Sequence, residues 1–128
     1  MANTSKVSSL RLVLRAGATV FGLSAILLIA LPRFFTDLLG MVGSADLDWS
    51  MRMIGLTLVA LTGNMLAVSL HGSDKGVLFS ARVMQIAAFG LGLITLLIPS
   101  GWNWFVILYA LVGFSFSVAY TIFLLQKD

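Results

Sequence analysis

Residues 10–32, LRLVLRAGATVFGLSAILLIALP, carry apolar side chains almost without interruption, with Arg11 and Arg15 near the start and Pro32 at the end. The run Leu23 to Leu31 does not alternate polar with apolar residues, so it is no strand of a membrane barrel. At about 1.5 Å per residue a helix over 10–31 reaches across a hydrocarbon core of about 30 Å. A basic start before an apolar run is also the form of a signal peptide. This run is long for that, however, and further apolar runs follow, so the expectation is a retained first span.

Three more runs have the same character, over about 49–70, 74–98 and 102–125. Of the 128 residues 59% are hydrophobic and 10% charged, and mean hydropathy is +1.04, a balance that cannot cover a soluble domain with polar surface. The expected fold is therefore all-α, an integral membrane four-helix bundle forming one domain over 1–128. Cysteine is absent, so disulfides, thiolate metal sites and cysteine nucleophiles are excluded. The formal charge is +3, but the basic residues are scattered and form no run, so no nucleic-acid partner is expected.

The connection Arg33 to Trp49 has a patterned first part. Phe34, Phe35, Leu38, Leu39 and Val42 share one side of a helix, with Arg33, Thr36, Asp37 and Gly40 on the other. This predicts a short amphipathic helix over about 33–40 lying along the membrane interface. Pro32 suits its first position, Arg33 and Asp37 can pair one turn apart, and Gly40 offers a left-handed stop. Asp48 is expected to cap the second span and to pair with Arg52. Asp74 or Ser73 is expected to cap the third, and Pro99 to end it.

Lys6, Arg11, Arg15, Lys75, Arg82 and Lys127 fall at one side of the membrane, against Arg33 and Arg52 at the other. The bias predicts cytoplasmic termini and puts Trp49, Trp102 and Trp104 at the outer interface. Arg15 precedes Pro32 by the interval that separates Arg82 from Pro99. This fits a duplicated helical hairpin, and it equally fits snorkelling cations and helix terminators that arose separately.

Small residues four apart let helices approach closely in lipid, and each span has such a pair: Ala18 with Gly22, Gly63 with Ala67, Ala88 with Gly92, and Gly113 with Ser117. Packing within the chain is expected to explain them, with homo-oligomerisation as the alternative. Asn64 and Gln85 are the strongest polar residues inside the spans and require partners. Thr19, Ser24, Thr57, Thr62, Thr95, Ser115, Ser117, Thr121 and Tyr109 support them, most of these hydroxyls being expected to bond within their own helix. Arg15 and Arg82 are candidates for contact with anionic headgroups, either by snorkelling separately or by converging on one pocket.

The usual reaction centres lack their residues. The only histidine, His71, sits in a turn, which leaves no facing pair for haem. Every acidic residue is in a connection or at a span end and glutamate is absent, so a proton-coupled carrier lacks its carboxylate. Neither a metal-ligand cluster nor a phosphate loop appears, and no enzyme activity or cofactor is expected, bound lipid or quinone being the ligand such spans can hold.

The segment Leu31-Pro32-Arg33-Phe34-Phe35-Thr36-Asp37-Leu38-Leu39-Gly40-Met41, followed by Arg52-Met53-Ile54-Gly55, resembles small four-helix DoxX-like bacterial membrane proteins. It shares with them a proline after the first helix, a short amphipathic segment ending in Leu-Gly, and Arg-x-x-Gly opening the second. The second half of the chain resembles them only in helix count and length. The resemblance implies a multi-pass protein of the bacterial inner membrane, some members being small subunits of quinone-linked oxidoreductases, and it transfers no catalytic residue.

Three functions follow as expectations. The first is a non-catalytic accessory subunit that packs against other subunits of a larger membrane complex. The second is a small oligomeric transporter or channel with Asn64 and Gln85 along a polar path. The third is a protein that binds lipid, quinone or pigment among its Phe and Met side chains, with Arg82 or Arg15 at the polar end.

Overall fold

Pro32 has no amide hydrogen to continue the first helical ladder, and its fixed φ suits the start of a new one. In the computed structural model, which describes residues 4–126, α1 (Thr4–Ala30) ends there and α2 (Pro32–Leu38) begins. Then come α3 (Ala45–His71), α4 (Asp74–Leu96) and α5 (Trp104–Leu125), with no strand among the described residues. The four longer helices are long and apolar enough to cross a membrane, and the chain is a multi-pass integral membrane protein. Its outward side chains agree, since Leu12, Leu23, Ile26, Leu56, Ile86, Ile94, Leu111 and Ile122 are all exposed.

Backbone chemistry sets the helix ends. Gly40, at φ +74°, closes α2: its N–H donates to Asp37 O (3.0 Å) and the N–H of Met41 donates to Thr36 O (3.1 Å), which satisfies two terminal carbonyls. Ser44, Ser73 and Asn103 cap α3, α4 and α5, accepting from the amides of Leu47, Gly76 and Val106. The cap on α3 corrects the expected one. Asp48 lies inside the first turn, and α3 begins about a turn earlier than the apolar run suggests.

Two expected pairings are also corrected. Arg33 reaches Asp48 rather than Asp37, with Nε to Oδ1 at 3.1 Å and Nη2 to Oδ2 at 2.9 Å. This two-pronged contact favours the charged guanidinium and raises its pKa above the ordinary value. Arg52, thereby left without Asp48, donates from Nε to Ile29 O (3.1 Å) at the end of α1. Arg11 does the corresponding thing at the other end of the pair, donating to Gly72 O (2.7 Å), Ser69 O (3.1 Å) and Val68 O (3.3 Å) at the end of α3. Each of the antiparallel helices α1 and α3 thus has an arginine near its start that donates to carbonyls at its neighbour's end, of which Val68 O also accepts from the Gly72 amide.

The amphipathic face of α2 is rotated from the expected one. Phe35 is buried and Leu38 and Leu39 pack beside it, but Phe34 and Val42 point outward and Thr36 is wholly buried. Burial costs Thr36 little because its hydroxyl donates to Pro32 O (2.9 Å), and Phe34 faces an apolar medium without penalty.

Two helix pairs make up the bundle. α1 lies along α3, and α4 along α5, with α1 also touching α4 and α5 and with little contact between α3 and α4. Val7, Leu10, Leu14, Gly17, Phe21, Ser24 and Leu28, spaced alternately by three and four, form one inward seam of α1, and Val13, Ala18 and Ala25 are buried beside it. At the end that carries the α3–α4 turn, Leu10 and Leu14 pack with Val77, Ala81, Met84 and Leu124 into a close core. At the α2 end a second cluster joins Leu28, Phe35, Met51 and Phe105. Between these clusters the α1 seam supplies glycine and serine, and the interior is left open there.

Candidate functional site

A large side chain at Ser24 would fill the middle of the bundle. As the sequence stands, a cavity of about 330 Å3 occupies it. Its walls include Gly17, Phe21, Ser24 and Leu28 of α1, Ile54 and Leu58 of α3, Met84, Ala88 and Leu91 of α4, and Val112, Gly113 and Phe116 of α5. Phe35 of α2 and Leu39 just after it close one end, where Phe35 meets the rings of Phe105 and Tyr109 edge-on, each at 5.5 Å between centroids. Ile54 and Leu91 are about half exposed, at 49% and 48%, so the wall between α3 and α4 borders on lipid.

Polar side chains on this lining are few and all carry hydroxyls. Ser24 Oγ and Tyr109 OH hydrogen-bond to each other across α1 and α5. Thr95 Oγ1 returns its hydrogen to Leu91 O (2.6 Å) and is satisfied within α4. Tyr120, 1% exposed, has a hydroxyl with no hydrogen-bond partner among the described residues. That hydroxyl lies 3.4 Å from where a Cβ on Gly17 would be, so the glycine is what makes room for it. No charged side chain lines the cavity.

Of the residues singled out from sequence, Gln85 has the richest contacts. Its Nε2 donates to Thr121 Oγ1 (2.7 Å), Thr121 donates to Ser117 O (2.8 Å), and Ser117 donates back to Gln85 O (3.0 Å). This closed ring of bonds fastens α4 to α5. Asn64 lies elsewhere, exposed on α3 with Nδ2 donating to Ala60 O (2.9 Å). The two amides therefore do not face a common path within one chain. Arg15 and Arg82 are exposed and neither lines the cavity; Arg82 Nη1 reaches Gln85 Oε1 at 3.4 Å, and no bond joins the two arginines among the described residues. The polar end of the cavity is tyrosine hydroxyl, not the guanidinium expected from sequence.

The small pairs divide in the same way. A Cβ on Gly113 would lie 3.0 Å from Ala88 O and 3.3 Å from Gly92 Cα, so α4 and α5 approach to backbone contact beside the buried Ser117. Ala18 is buried, and a Cβ on Gly22 would meet Thr62 of α3 at 3.5 Å. Gly63 and Ala67, however, are exposed, and a Cβ on Gly63 would meet nothing within 4 Å. Packing inside the chain does not account for that pair.

Tyr120 and Gly17 escaped the reading of the sequence. The signal that finds them is the alternation of three and four along α1 and α5: Gly17 and Ser24 fall on the seam of one, and Tyr109, Gly113, Phe116 and Tyr120 on the seam of the other. No family model, curated protein or solved structure matches the chain.

Proposed function

We propose that this protein takes a neutral apolar molecule from the bilayer and holds it between its helices. The observation that carries the proposal is the cavity itself. At about 330 Å3 it falls in the size range of small-ligand sites, and its apolar walls carry a few converging polar groups, the pattern such sites show. An engineered cavity of about 150 Å3 holds benzene, so roughly a dozen heavy atoms fit here. The absence of charge from the walls selects a neutral molecule, and the half-exposed side between α3 and α4 gives it a route from lipid. Lipid and quinone both have suitable apolar portions.

The test is mass spectrometry of the protein purified from its host in mild detergent, with organic extraction of whatever accompanies it. A neutral lipid or quinone retained by the wild type and lost on Val112→Phe, which places a ring in the cavity, is the expected result. Recovery of both proteins equally free of apolar molecules, with no uptake on adding them back, would falsify the proposal.

A second reading is supported by α3, whose outer face presents Ala60, Gly63, Asn64 and Ala67 to the surroundings. A face of small residues with one amide suits packing against another helix, either in a larger complex or in a second copy. Co-purification of a defined partner, disrupted by Gly63→Leu, supports the accessory role. A transporter with Asn64 and Gln85 on one path would have to build that path between copies.

We place the protein in a bacterial inner membrane with both termini cytoplasmic. The basis is the DoxX-like pattern around Pro32, Gly40 and Arg52, together with Lys6, Arg11, Arg15, Lys75 and Arg82 toward one end of the bundle and Arg33 and Arg52 toward the other. Lys127, which shares the first group by sequence, lies outside the described residues.

A further inference from the structure

We infer that the lipid-facing groove between α1 and α3 seats an acyl chain of a phospholipid whose phosphate is held by the guanidinium of Arg52. The groove, of about 300 Å3, is separate from the central cavity and shares no lining residue with it. Small residues on α1, Gly22, Ala25 and Ala30, leave the space, with Ile26 beside them and Val59 across on α3. Ile26 and Val59 are both exposed, so the groove opens to the bilayer. Gly22 and Ala30 are eight residues apart, which is about 12 Å along the helix. One leaflet contributes about 15 Å to a hydrocarbon core of about 30 Å, so the groove runs most of the depth of the leaflet on the α2 side.

Arg52 stands at the interfacial end of this groove. On α3 the residues Arg52, Gly55 and Val59 follow one another by three and four and share a face. The Nε of Arg52 donates to Ile29 O (3.1 Å), and Ile29 belongs to the groove wall, so the guanidinium is fixed at the rim. Its two Nη groups donate to nothing among the described residues, and the side chain is exposed. Asp48, one turn back on α3, has both oxygens engaged by Arg33, and no ion pair joins Arg52 to a carboxylate among the described residues. Arg11, the counterpart at the other end of the helix pair, instead spends both Nη groups on carbonyls and Asp74. What Arg52 presents is a planar pair of charged donors above an apolar channel. Such a fork matches the oxygens of a phosphate, and at a membrane interface the phosphate that also brings an acyl chain is that of a phospholipid.

The experiment uses the full chain delipidated in mild detergent, with two probes titrated in and followed by native mass spectrometry. Palmitoyl-oleoyl phosphatidylglycerol and palmitoyl-oleoyl glycerol carry the same chains with and without a phosphate headgroup. The wild type is expected to bind the phospholipid about three- to tenfold more tightly. Arg52→Gln is expected to abolish that preference, whereas Arg15→Gln, which removes an exposed arginine toward the other end of α1, should keep it. Gly22→Leu fills the groove with Arg52 in place and should lower phosphatidylglycerol binding at least threefold. Val112→Phe, in the central cavity, should leave that binding unchanged, so the two sites stand or fall separately. Equal binding of the two probes by the wild type overturns the inference. A preference that survives Arg52→Gln overturns it through the phosphate, and phosphatidylglycerol binding that survives Gly22→Leu overturns it through the chain, so either variant decides if the other does not fold. A preference lost equally in Arg15→Gln reports net charge instead of a site and overturns it too.

Discussion

Replacing Arg11 by methionine keeps most of the side chain's apolar length and removes its guanidinium from the end of α3. Three carbonyls lose a donor: Gly72 O at 2.7 Å, Ser69 O at 3.1 Å and Val68 O at 3.3 Å. The first has the length of a charge-assisted bond, which contributes about 1.5–3 kcal/mol; the two longer contacts share the other nitrogen and add less. Water reaches this end of the bundle, since the Arg11 side chain is 22% exposed, so part of the loss is recovered by hydration. The net cost should be about 2 kcal/mol. Asp74 also touches Arg11, at 3.4 Å, but its side chain is 64% exposed, and a pair so placed contributes at most about 0.5 kcal/mol. Unfolding in mixed micelles of mild detergent and SDS, followed by circular dichroism, measures both. Arg11→Met should cost at least threefold more free energy than Asp74→Asn, and the double variant should match Arg11→Met within about 0.5 kcal/mol. Equal costs for the two single variants would show that the ion pair, not the carbonyls, accounts for the contact.

The two glycine environments give a second prediction: Gly113→Ala pushes a methyl to 3.0 Å from Ala88 O and should cost about 1–3 kcal/mol, whereas Gly63→Ala meets open space and should be neutral or stabilising by up to about 1 kcal/mol. The same unfolding assay separates them. Gln85→Leu and Thr121→Val should each destabilise, and a double-mutant cycle should return a coupling of about 0.6 kcal/mol, the usual size for an interhelical bond in lipid; a coupling of zero removes the bond. Because the chain has no cysteine, single cysteines report orientation directly. In intact cells an impermeant maleimide should label Val42→Cys, and it should label Lys75→Cys only after lysis; the reverse pattern inverts the proposed topology.

Span number, span type and the interfacial helix were legible because each depends on local chemistry. Long apolar runs have one stable form in lipid, and Pro32 and Gly40 act on the backbone wherever the chain goes next. The pairing of charges was not, because it depends on which helix starts come together. Arg33 and Asp37 are one turn apart, yet the fold carries α2 back over the start of α3, and Asp48 is then the better-placed carboxylate. Arg11 looked like one more cation near a span end, and only the antiparallel contact of α1 with α3 puts it on bare carbonyls. The rotation of α2 was hidden for a different reason. Hydrophobicity identifies the inward face when the outside is water, but at a membrane interface Phe34 has two acceptable directions. The cavity was present in the sequence as small residues on seam positions. A search for small pairs four apart passes over Gly17, where the Met65 methyl and the Tyr120 hydroxyl pack close to the bare backbone.

The division of the bundle into two helix pairs bears on how the protein is made. α5 is the last of the five helices to leave the ribosome, and it brings Tyr109, Val112, Gly113, Phe116 and Tyr120 to the cavity. Until it arrives, α1 and α3 can already clasp through Arg11 and Arg52, while Ser24 still lacks Tyr109 and α4 lacks the backbone contact at Gly113. The cavity's wall is therefore complete only once α5 has packed beside α1 and α4.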